Sequence, residues 1–158
     1  MTDAHIEQAF LYEPSEAHPG WHLWRLRDRN RFNTQFGDLL LRIESGPIAR
    51  IRMAPHQALT NANNNIHGGA LLGFLDISLF AGAHHLGATV MMSAVTLDLQ
   101  AHFVSAGVPD QPVDALVELV RETGSLVFLR GTMVQGEDDA HVVLSFTGMM
   151  KKVRAKKA

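Results

Sequence analysis

The 158-residue sequence contains no cysteine. This absence excludes disulfide bonds, thiolate zinc sites and a cysteine nucleophile, although it leaves the redox compartment open. An excess of one charge is also missing, because 14 lysine and arginine residues stand against 16 aspartate and glutamate residues, for a net charge of −2. A general basic field that would bind nucleic acid is therefore not expected.

Long hydrophobic runs and a leader pattern are missing as well. The longest apolar run, near residues 70–83, falls short of the roughly 20 residues of a membrane span and is interrupted by Asp76. Residues 1–7 show neither the basic start nor the apolar stretch of a secretory signal. With a hydrophobic content of 46%, these features predict one cytoplasmic domain without membrane contact.

Motifs for metals and nucleotides are not found. The nine histidines form no His-Glu-x-x-His pattern. His84 and His85 are adjacent, so their side chains would diverge by about 100° on a helix. No glycine-rich phosphate loop is present. We therefore expect neither a bound metal nor a cofactor.

The chain divides into an N-terminal extension, one domain and a tail. Residues 1–35 are predicted to form the extension, with a short helix through Tyr12 before prolines and a glycine break the chain. Residues 36–153 are predicted to form an α+β domain. Residues 154–158 form a basic tail, for which a solvated end is expected.

Within the domain, a long apolar segment from Gly68 to His85 separates two groups of strands. It is too long for a strand and lacks β-branched enrichment, so we predict a helix, apolar and therefore buried on all sides. Period-two alternation predicts strands near residues 39–44, 49–53, 95–103, 113–122, 126–135 and 141–152. An antiparallel sheet wrapped around a long central helix satisfies this order.

Asp76 lies in this helix, where only it and Ser78 are polar between Gly68 and Ala83. An isolated carboxylate among apolar side chains costs free energy, so such an acid is normally paired, hydrogen-bonded or functional. A satisfied structural acid is one interpretation. In the functional interpretation, Asp76 acts as a nucleophile or as a general base.

Glycines open the same helix and precede Asp76. The free N–H groups of Gly68 and Gly69 favour a developing negative charge, which predicts an oxyanion hole for attack on a carbonyl. Gly69, Gly73, Asp76 and Phe80 share one helical stripe. The glycines either let the sheet pack closely or open a slot that leads to Asp76, and the two interpretations are compatible.

The spacing between His67 and Asp76 bears on assembly. Nine positions on a helix correspond to about 13 Å along its axis and to opposite sides. The two residues therefore cannot share one site within one chain. Either they are unrelated, or each completes a site with residues of a second subunit in an obligate dimer.

These residues resemble the PaaI-type hotdog-fold acyl-CoA thioesterases. The resemblance covers residues 36–153 and depends on His67-Gly68-Gly69, on Asp76 nine positions after the histidine, and on the asparagine-rich loop before it. It implies a hotdog fold, hydrolysis of an acyl- or aryl-acyl-CoA thioester, and a homodimer or homotetramer. The acyl group, and the choice between nucleophile and base, stay open.

The resemblance also implies roles for single residues. Asp76 matches the catalytic acid, and Thr96 a hydroxyl that assists it. Gly68 matches the N–H group that polarises the thioester carbonyl, beside the motif histidine His67. Asn61 matches an asparagine that contacts the thioester or positions the attacking water. In the family, Asn61, His67 and Gly68 come from one subunit, and Asp76 and Thr96 from the other.

Four further residues, Gly69, Gly73, Asn65 and Ser125, are assigned to substrate binding. A hotdog dehydratase is a competing interpretation, but it would require a different His and Glu pattern. A non-catalytic acyl-CoA-binding module is the alternative from another class. It predicts binding without turnover, for which a buried acid would not be needed.

Overall fold

The computed structural model describes residues 9–88 and 94–153, so the tail at 154–158 lies outside the described residues. Eight strands and one long helix run in the order β1, β2, β3, β4, α1, β5, β6, β7, β8. Their bounds are β1 Phe10–Pro14, β2 His22–Leu26, β3 Leu39–Ile43, β4 Ile48–Met53, α1 Gly68–His85, β5 Ala94–Phe103, β6 Val113–Glu122, β7 Leu126–Gln135 and β8 His141–Lys152. A short 3-10 turn at Phe32–Phe36 precedes β3.

The eight strands form one antiparallel sheet in the order β1-β2-β3-β4-β6-β7-β8-β5. Helix α1 packs mainly against β3, β4 and β6. The predicted antiparallel sheet around a long central helix is therefore confirmed. The strand β5 ends the sheet, with β8 as its one neighbour among the described strands.

Close approach of the helix to the sheet depends on small residues. A Cβ atom on Gly82 would lie 2.8 Å from the Val117 side chain, and one on Gly148 would lie 2.6 Å from the Leu79 side chain. Distances under 3.0 Å are too short for ordinary carbon contacts. These two glycines therefore let α1 lie directly on β6 and β8, and the leucine, valine and methionine side chains around them form the core.

The helix is not buried on all sides, so that prediction is wrong for the single chain. Leu71, Phe74, Leu75 and Leu79 are buried against the sheet. A narrow strip on another side is exposed or half-buried, and its members are Gly69, Leu72, Gly73, Asp76 and Phe80. The carboxylate of Asp76 therefore lies at an open strip of the helix and not inside the core.

The N-terminal stretch contributes two strands that sequence patterns missed. The predicted helix through Tyr12 is wrong over β1, which pairs with β2, while β2 pairs with β3. Trp24 of β2 is only 3% exposed and belongs to the core. Pro14 is tolerated because β1 is an edge strand that needs no outer N–H donor. Residues 10–26 therefore share the sheet of the domain, whereas its boundary at residue 36 stays a prediction.

An ion-pair network ties several strands together away from the open strip. The guanidinium of Arg50 donates to both carboxylate oxygens of Asp139, at 2.8 and 2.7 Å, and to Asp114 at 2.8 Å. Arg50 also pairs with Glu44, and Arg52 pairs with Asp114. The hydrogen bonds from Arg50 hold the pKa of Asp139 below its ordinary value. The network therefore stabilises the fold most when its acids are ionised.

Candidate functional site

Asp76 and Thr96 form the first part of the candidate site. The Thr96 hydroxyl donates a hydrogen bond of 2.6 Å to Asp76 Oδ1. Asp76 is half-buried on α1, and Thr96 lies near the start of β5, so the end strand of the sheet orients the carboxylate. The hydroxyl uses one oxygen of the carboxylate. The second oxygen can accept a proton from a water molecule or attack a carbonyl carbon.

A cavity of about 340 Å³ opens beside Asp76. Its polar lining consists of Asp76 and Asn33, the latter from the turn before β3. The remaining lining is apolar and comes from β1, β2, α1 and β5: Phe10, Trp24, Ile77, Phe80 and Ala94. A carboxylate in the lining of a largely apolar cavity is suited to a substrate that carries a reactive polar group on an apolar body.

The asparagine-rich loop before α1 is organised by one side chain. Asn61 Oδ1 accepts hydrogen bonds from the backbone N–H groups of Asn63 and Asn65, at 2.9 and 3.2 Å. The Asn61 N–H donates to the Asn65 carbonyl at 2.8 Å. Asn64 adopts a left-handed backbone with φ of 57°, which asparagine tolerates better than most residues. Because Oδ1 is used within the loop, Asn61 Nδ2 is the atom that can donate to a ligand.

The start of α1 offers one backbone donor and not two. His67 Nδ1 accepts a hydrogen bond of 2.9 Å from the Gly69 N–H and so caps the helix. As the first helical residue, Gly68 has no carbonyl one turn before it within the helix. Two glycine N–H groups were expected to donate to an oxyanion. Because the Gly69 N–H is used by His67, the Gly68 N–H is left as the candidate donor. Acceptance at Nδ1 requires a neutral His67 ring with its proton on Nε2.

A second cavity, of about 320 Å³, lies at this end of the helix. It is lined by the loop, the start of α1, the end of β5 and the segment after β5: Asn61, Asn65, Ile66, Gly68, Leu71, Phe103, Val104, Ser105, Ala106 and Gly107. The structure therefore brings together Asn61, Asn65 and Gly68, with His67 next to them.

The two cavities share no lining residue. Gly68 and Asp76 are separated by two turns of the continuous helix α1, or about 12 Å along its axis. The structure thus brings Asp76 to Thr96 and Asn61 to Gly68, but it does not bring these two groups together within one chain. Each chain therefore carries two separate groups of candidate site residues.

The family model described as the thioesterase superfamily matches residues 63–140, which include α1 and β5. The chain belongs to the thioesterase superfamily. It is accordingly a thioester hydrolase by enzyme class. No curated protein matches the chain.

Solved structures of several thioesterases share the hotdog fold of this chain. The PaaI protein of the E. coli phenylacetic acid degradation operon is 16% identical, with a TM-score of 0.65, over 80% of this chain and 88% of that one. A hypothetical thioesterase from Streptococcus pneumoniae with coenzyme A is 17% identical, with a TM-score of 0.65, over 78% and 92%. Thioesterase superfamily member 2 of zebra fish is 11% identical, with a TM-score of 0.67, over 79% and 88%.

Three residues assigned to substrate binding, Gly69, Gly73 and Ser125, line neither cavity of this thioesterase. A Cβ atom on Gly73 would lie 2.8 Å from the Phe36 ring and 3.1 Å from the Phe32 ring, so this glycine lets the turn before β3 pack closely on α1. The Ser125 carbonyl accepts a hydrogen bond from the Lys152 N–H of β8. Ser125 therefore lies just before the start of β7, two strand spacings or about 10 Å from β5. Substrate contact by Gly69, Gly73 or Ser125 stays a prediction.

Sequence reasoning missed three residues of the Asp76 cavity, namely Phe10, Trp24 and Asn33. Aromatic and other side chains alternate in β1 and β2, as is typical of half-buried strands. This alternation is the sequence signal that could have found Phe10 and Trp24. A larger groove of about 950 Å³ lies around Trp21 and Arg52 and contains none of the predicted site residues.

Two observations concern membranes and metal ions. No helix within residues 9–88 and 94–153 is both long and apolar enough to cross a membrane. In the same described ranges, histidine, cysteine, aspartate and glutamate side chains form no group of three that could hold a metal ion.

Proposed function

We propose that this thioesterase hydrolyses acyl-CoA thioesters at a site that two subunits build together. The observation that carries the proposal is the division of the catalytic groups between two separate cavities on each chain. One cavity has the Asp76 carboxylate, with Asn33 as its other polar residue, but no helix N-terminus. The other has the Gly68 N–H and the Asn61 amide but no acid. Coenzyme A in the related Streptococcus pneumoniae structure supports an acyl-CoA substrate.

The edge strand β5 offers a simple way to join the two cavities. Thr96 lies near its start beside Asp76, and Phe103 at its end lines the Gly68 cavity. If β5 pairs with itself about a two-fold axis at its middle, the Thr96 end of one strand lies beside the Phe103 end of the other. Among the described strands, nothing pairs with the outer edge of β5, and the side chains of Val95 and Leu97 are 47% and 50% exposed; both observations support such pairing.

In the proposed reaction, Asp76 acts as a general base on water. The water oxygen attacks the thioester carbonyl carbon, and its proton moves to Asp76 Oδ2. The Gly68 N–H of the partner subunit donates to the oxyanion that forms, where the helix dipole adds to the stabilisation. The carbon–sulfur bond then breaks, the coenzyme A thiolate leaves, and the proton on Asp76 passes to the sulfur.

The remaining residues position these groups. The Thr96 hydroxyl holds Asp76 Oδ1, so that the other oxygen faces the water. Asn61 Nδ2 contacts the thioester or the water, and the Asn61 Oδ1 bonds keep the loop in shape. The His67 ring keeps the Gly69 N–H occupied and the first turn of the helix fixed.

The test measures thiol release from a panel of acyl-CoA thioesters by the wild type and by Asp76→Asn. We expect turnover by the wild type and a loss of about 10²–10⁴-fold in kcat for the variant, the range typical of a general base. Glu118→Gln, a similar change in a surface ion pair with Arg130, is the control and should keep full activity. Binding of acyl-CoA without turnover by the wild type would contradict the proposal and support the non-catalytic module.

Single-turnover hydrolysis in ¹⁸O-labelled water detects attack by Asp76 itself when water opens the anhydride at the aspartyl carbon. A general base gives labelled carboxylic acid and an unlabelled Asp76. Attack by Asp76 itself forms a mixed anhydride, and water attack on its aspartyl carbon would leave the label in Asp76. Label in Asp76 would therefore show that Asp76 acts as a nucleophile and not as a general base.

A further inference from the structure

The apolar wall of the Asp76 cavity is built partly by the N-terminal strand pair. Phe10 of β1 and Trp24 of β2 line this cavity, together with Ile77 and Phe80 of α1. Both strands precede residue 63, where the match to the thioesterase superfamily begins. The part of the wall that Phe10 and Trp24 build is therefore a feature that the superfamily match does not cover.

Trp24 is held in a fixed position by its neighbours. Its ring centroid lies 4.9 Å from that of Phe10, 5.8 Å from that of Tyr12 and 5.7 Å from that of His84. The Trp24 side chain is nearly fully buried, and its strand pairs with β3 at Leu39. A large ring packed in this way forms a rigid wall, because moving it would open a void in the core.

The strand pair is also joined to the end of α1. The Tyr12 hydroxyl forms a hydrogen bond with His85 Nδ1. Burial, with smaller contributions from His22 and His84, lowers the pKa of His85 to about 4. The His85 ring is therefore neutral at pH 7 and can accept a hydrogen bond from the Tyr12 hydroxyl. This contact holds the wall against the same helix that carries Asp76.

Building on the function proposed above, we propose that Trp24 and Phe10 form the acyl-binding wall and limit the size of the acyl group. A cavity of about 150 Å³ is enough for a benzene molecule, so 340 Å³ holds an apolar acyl group of moderate size. Asp76 belongs to the polar lining of this cavity, and Trp24 and Phe10 belong to its apolar lining. In this arrangement the thioester carbonyl lies at Asp76, and the acyl group packs against Trp24 and Phe10.

The first experiment compares kcat/KM for butanoyl-CoA and dodecanoyl-CoA in wild type, Trp24→Ala and Phe10→Ala. Removing the indole should lengthen the cavity and raise the dodecanoyl-to-butanoyl ratio about tenfold or more. Phe10 is half-buried on an edge strand, so its alanine variant keeps the test valid if Trp24→Ala does not fold, and it should shift the ratio in the same direction. Leu23→Ala is the matched control, because Leu23 precedes Trp24 on β2 but lines the larger groove.

An unchanged ratio in a folded Trp24→Ala or Phe10→Ala variant would overturn the proposal, as would an equal shift in Leu23→Ala. Failure of the proposed function gives a different result, since the wild type would then hydrolyse neither substrate.

A binding measurement tests the wall independently of turnover. The sequence has two tryptophans, Trp21 and Trp24, and Trp21 lines the larger groove. Trp21→Phe therefore leaves Trp24 as the single indole reporter. A thioether analogue of butanoyl-CoA, which cannot be hydrolysed, should change the Trp24 fluorescence, and coenzyme A alone should not. Saturable binding of the analogue without a change in fluorescence would overturn the proposal.

Discussion

The two cavities of this thioesterase are built in different ways. The cavity at the start of α1 is lined by two stretches, 61–71 and 103–107, and its candidate donors come from the first, in which Asn61 shapes a loop and Gly68 presents a backbone N–H. The cavity at Asp76 combines side chains from β1, β2, α1, β5 and the turn before β3. The candidate donors of the first cavity can therefore be recognised from a local motif, whereas the lining of the second depends on contacts between segments that are distant in the sequence.

The difference suggests a division of tasks. The backbone donor and the loop suit a step that is common to all thioesters, namely stabilisation of the oxyanion. The apolar wall suits the part of the substrate that varies, the acyl group. Changes at the first cavity should therefore alter the rate for every substrate, while changes at the wall should alter the choice among substrates.

The largest effect is expected when two inactive variants are mixed. Each variant lacks the proposed reactive side chains of one cavity. One chain carries Asp76→Ala, and the other carries Asn61→Ala with His67→Ala. After subunit exchange, one site of each mixed dimer has all three residues intact. Activity should return to about a quarter of the wild-type level, since about half of the dimers are mixed and each has one good site.

The control in this mixing experiment is each inactive chain incubated alone, which should stay inactive. Exchange is confirmed by mass spectrometry of the intact oligomers. Complete exchange without recovered activity would show that the two cavities do not combine across subunits.

A smaller effect is expected when only the loop is changed. Asn61→Ala removes the acceptor of two backbone hydrogen bonds and the amide donor, so kcat should fall about 10–100-fold for all acyl chain lengths. Asn63→Ala is the matched control, because the Asn63 side chain is exposed and its backbone N–H is retained. A strong dependence of the Asn61→Ala effect on acyl length would break the proposed division of tasks.

A still smaller effect is expected at Thr96. Thr96→Val keeps the shape of the side chain but removes the 2.6 Å hydrogen bond to Asp76, so kcat should fall about tenfold. Thr96→Ser keeps the hydroxyl and should retain most of the activity. Steady-state kinetics with one acyl-CoA compares the two variants. Full activity in Thr96→Val together with a loss in Thr96→Ser would show that the methyl group, and not the hydroxyl, matters.

The smallest change lies outside both cavities and should leave kcat unaltered. Because the folded-state pKa of Asp139 is lowered by Arg50, its contribution to stability is full above the unfolded pKa and is lost as the pH falls through the folded pKa. Asp139→Asn should reduce the free energy of unfolding at pH 7 by about 1 kcal/mol, after allowance for solvent screening at this partly exposed group. The loss of stability in acid should then be shallower.

Asp138→Asn is the control for that substitution. Both aspartates have a positive φ, near 54° and 58°, which asparagine tolerates, and the Arg50 bonds are made by Asp139. Denaturant unfolding from pH 2 to pH 7 measures both variants. Equal pH dependence in Asp139→Asn and wild type would contradict the role given to the Arg50 pair.

The local parts of the site were predictable because helix geometry is regular. The bounds Gly68–His85 agree with the predicted helix, and the rise per residue alone separates Gly68 from Asp76. The expectation of two free glycine donors was wrong, because the His67 ring lies close enough to accept the Gly69 N–H. Which side-chain rotamer caps a helix depends on the whole first turn and does not follow from the motif.

The sequence by itself determined the fold class, the central helix and the spacing of its candidate site residues, because these follow from hydrophobic periodicity and from the fixed dimensions of the backbone. The tertiary structure decided that β1 and β2 join the sheet, that α1 keeps an open strip, and that Trp24 lines the same cavity as Asp76. Such contacts arise from the packing of distant segments, where each side chain fills the space that the others leave. No periodic pattern within one segment contains that information.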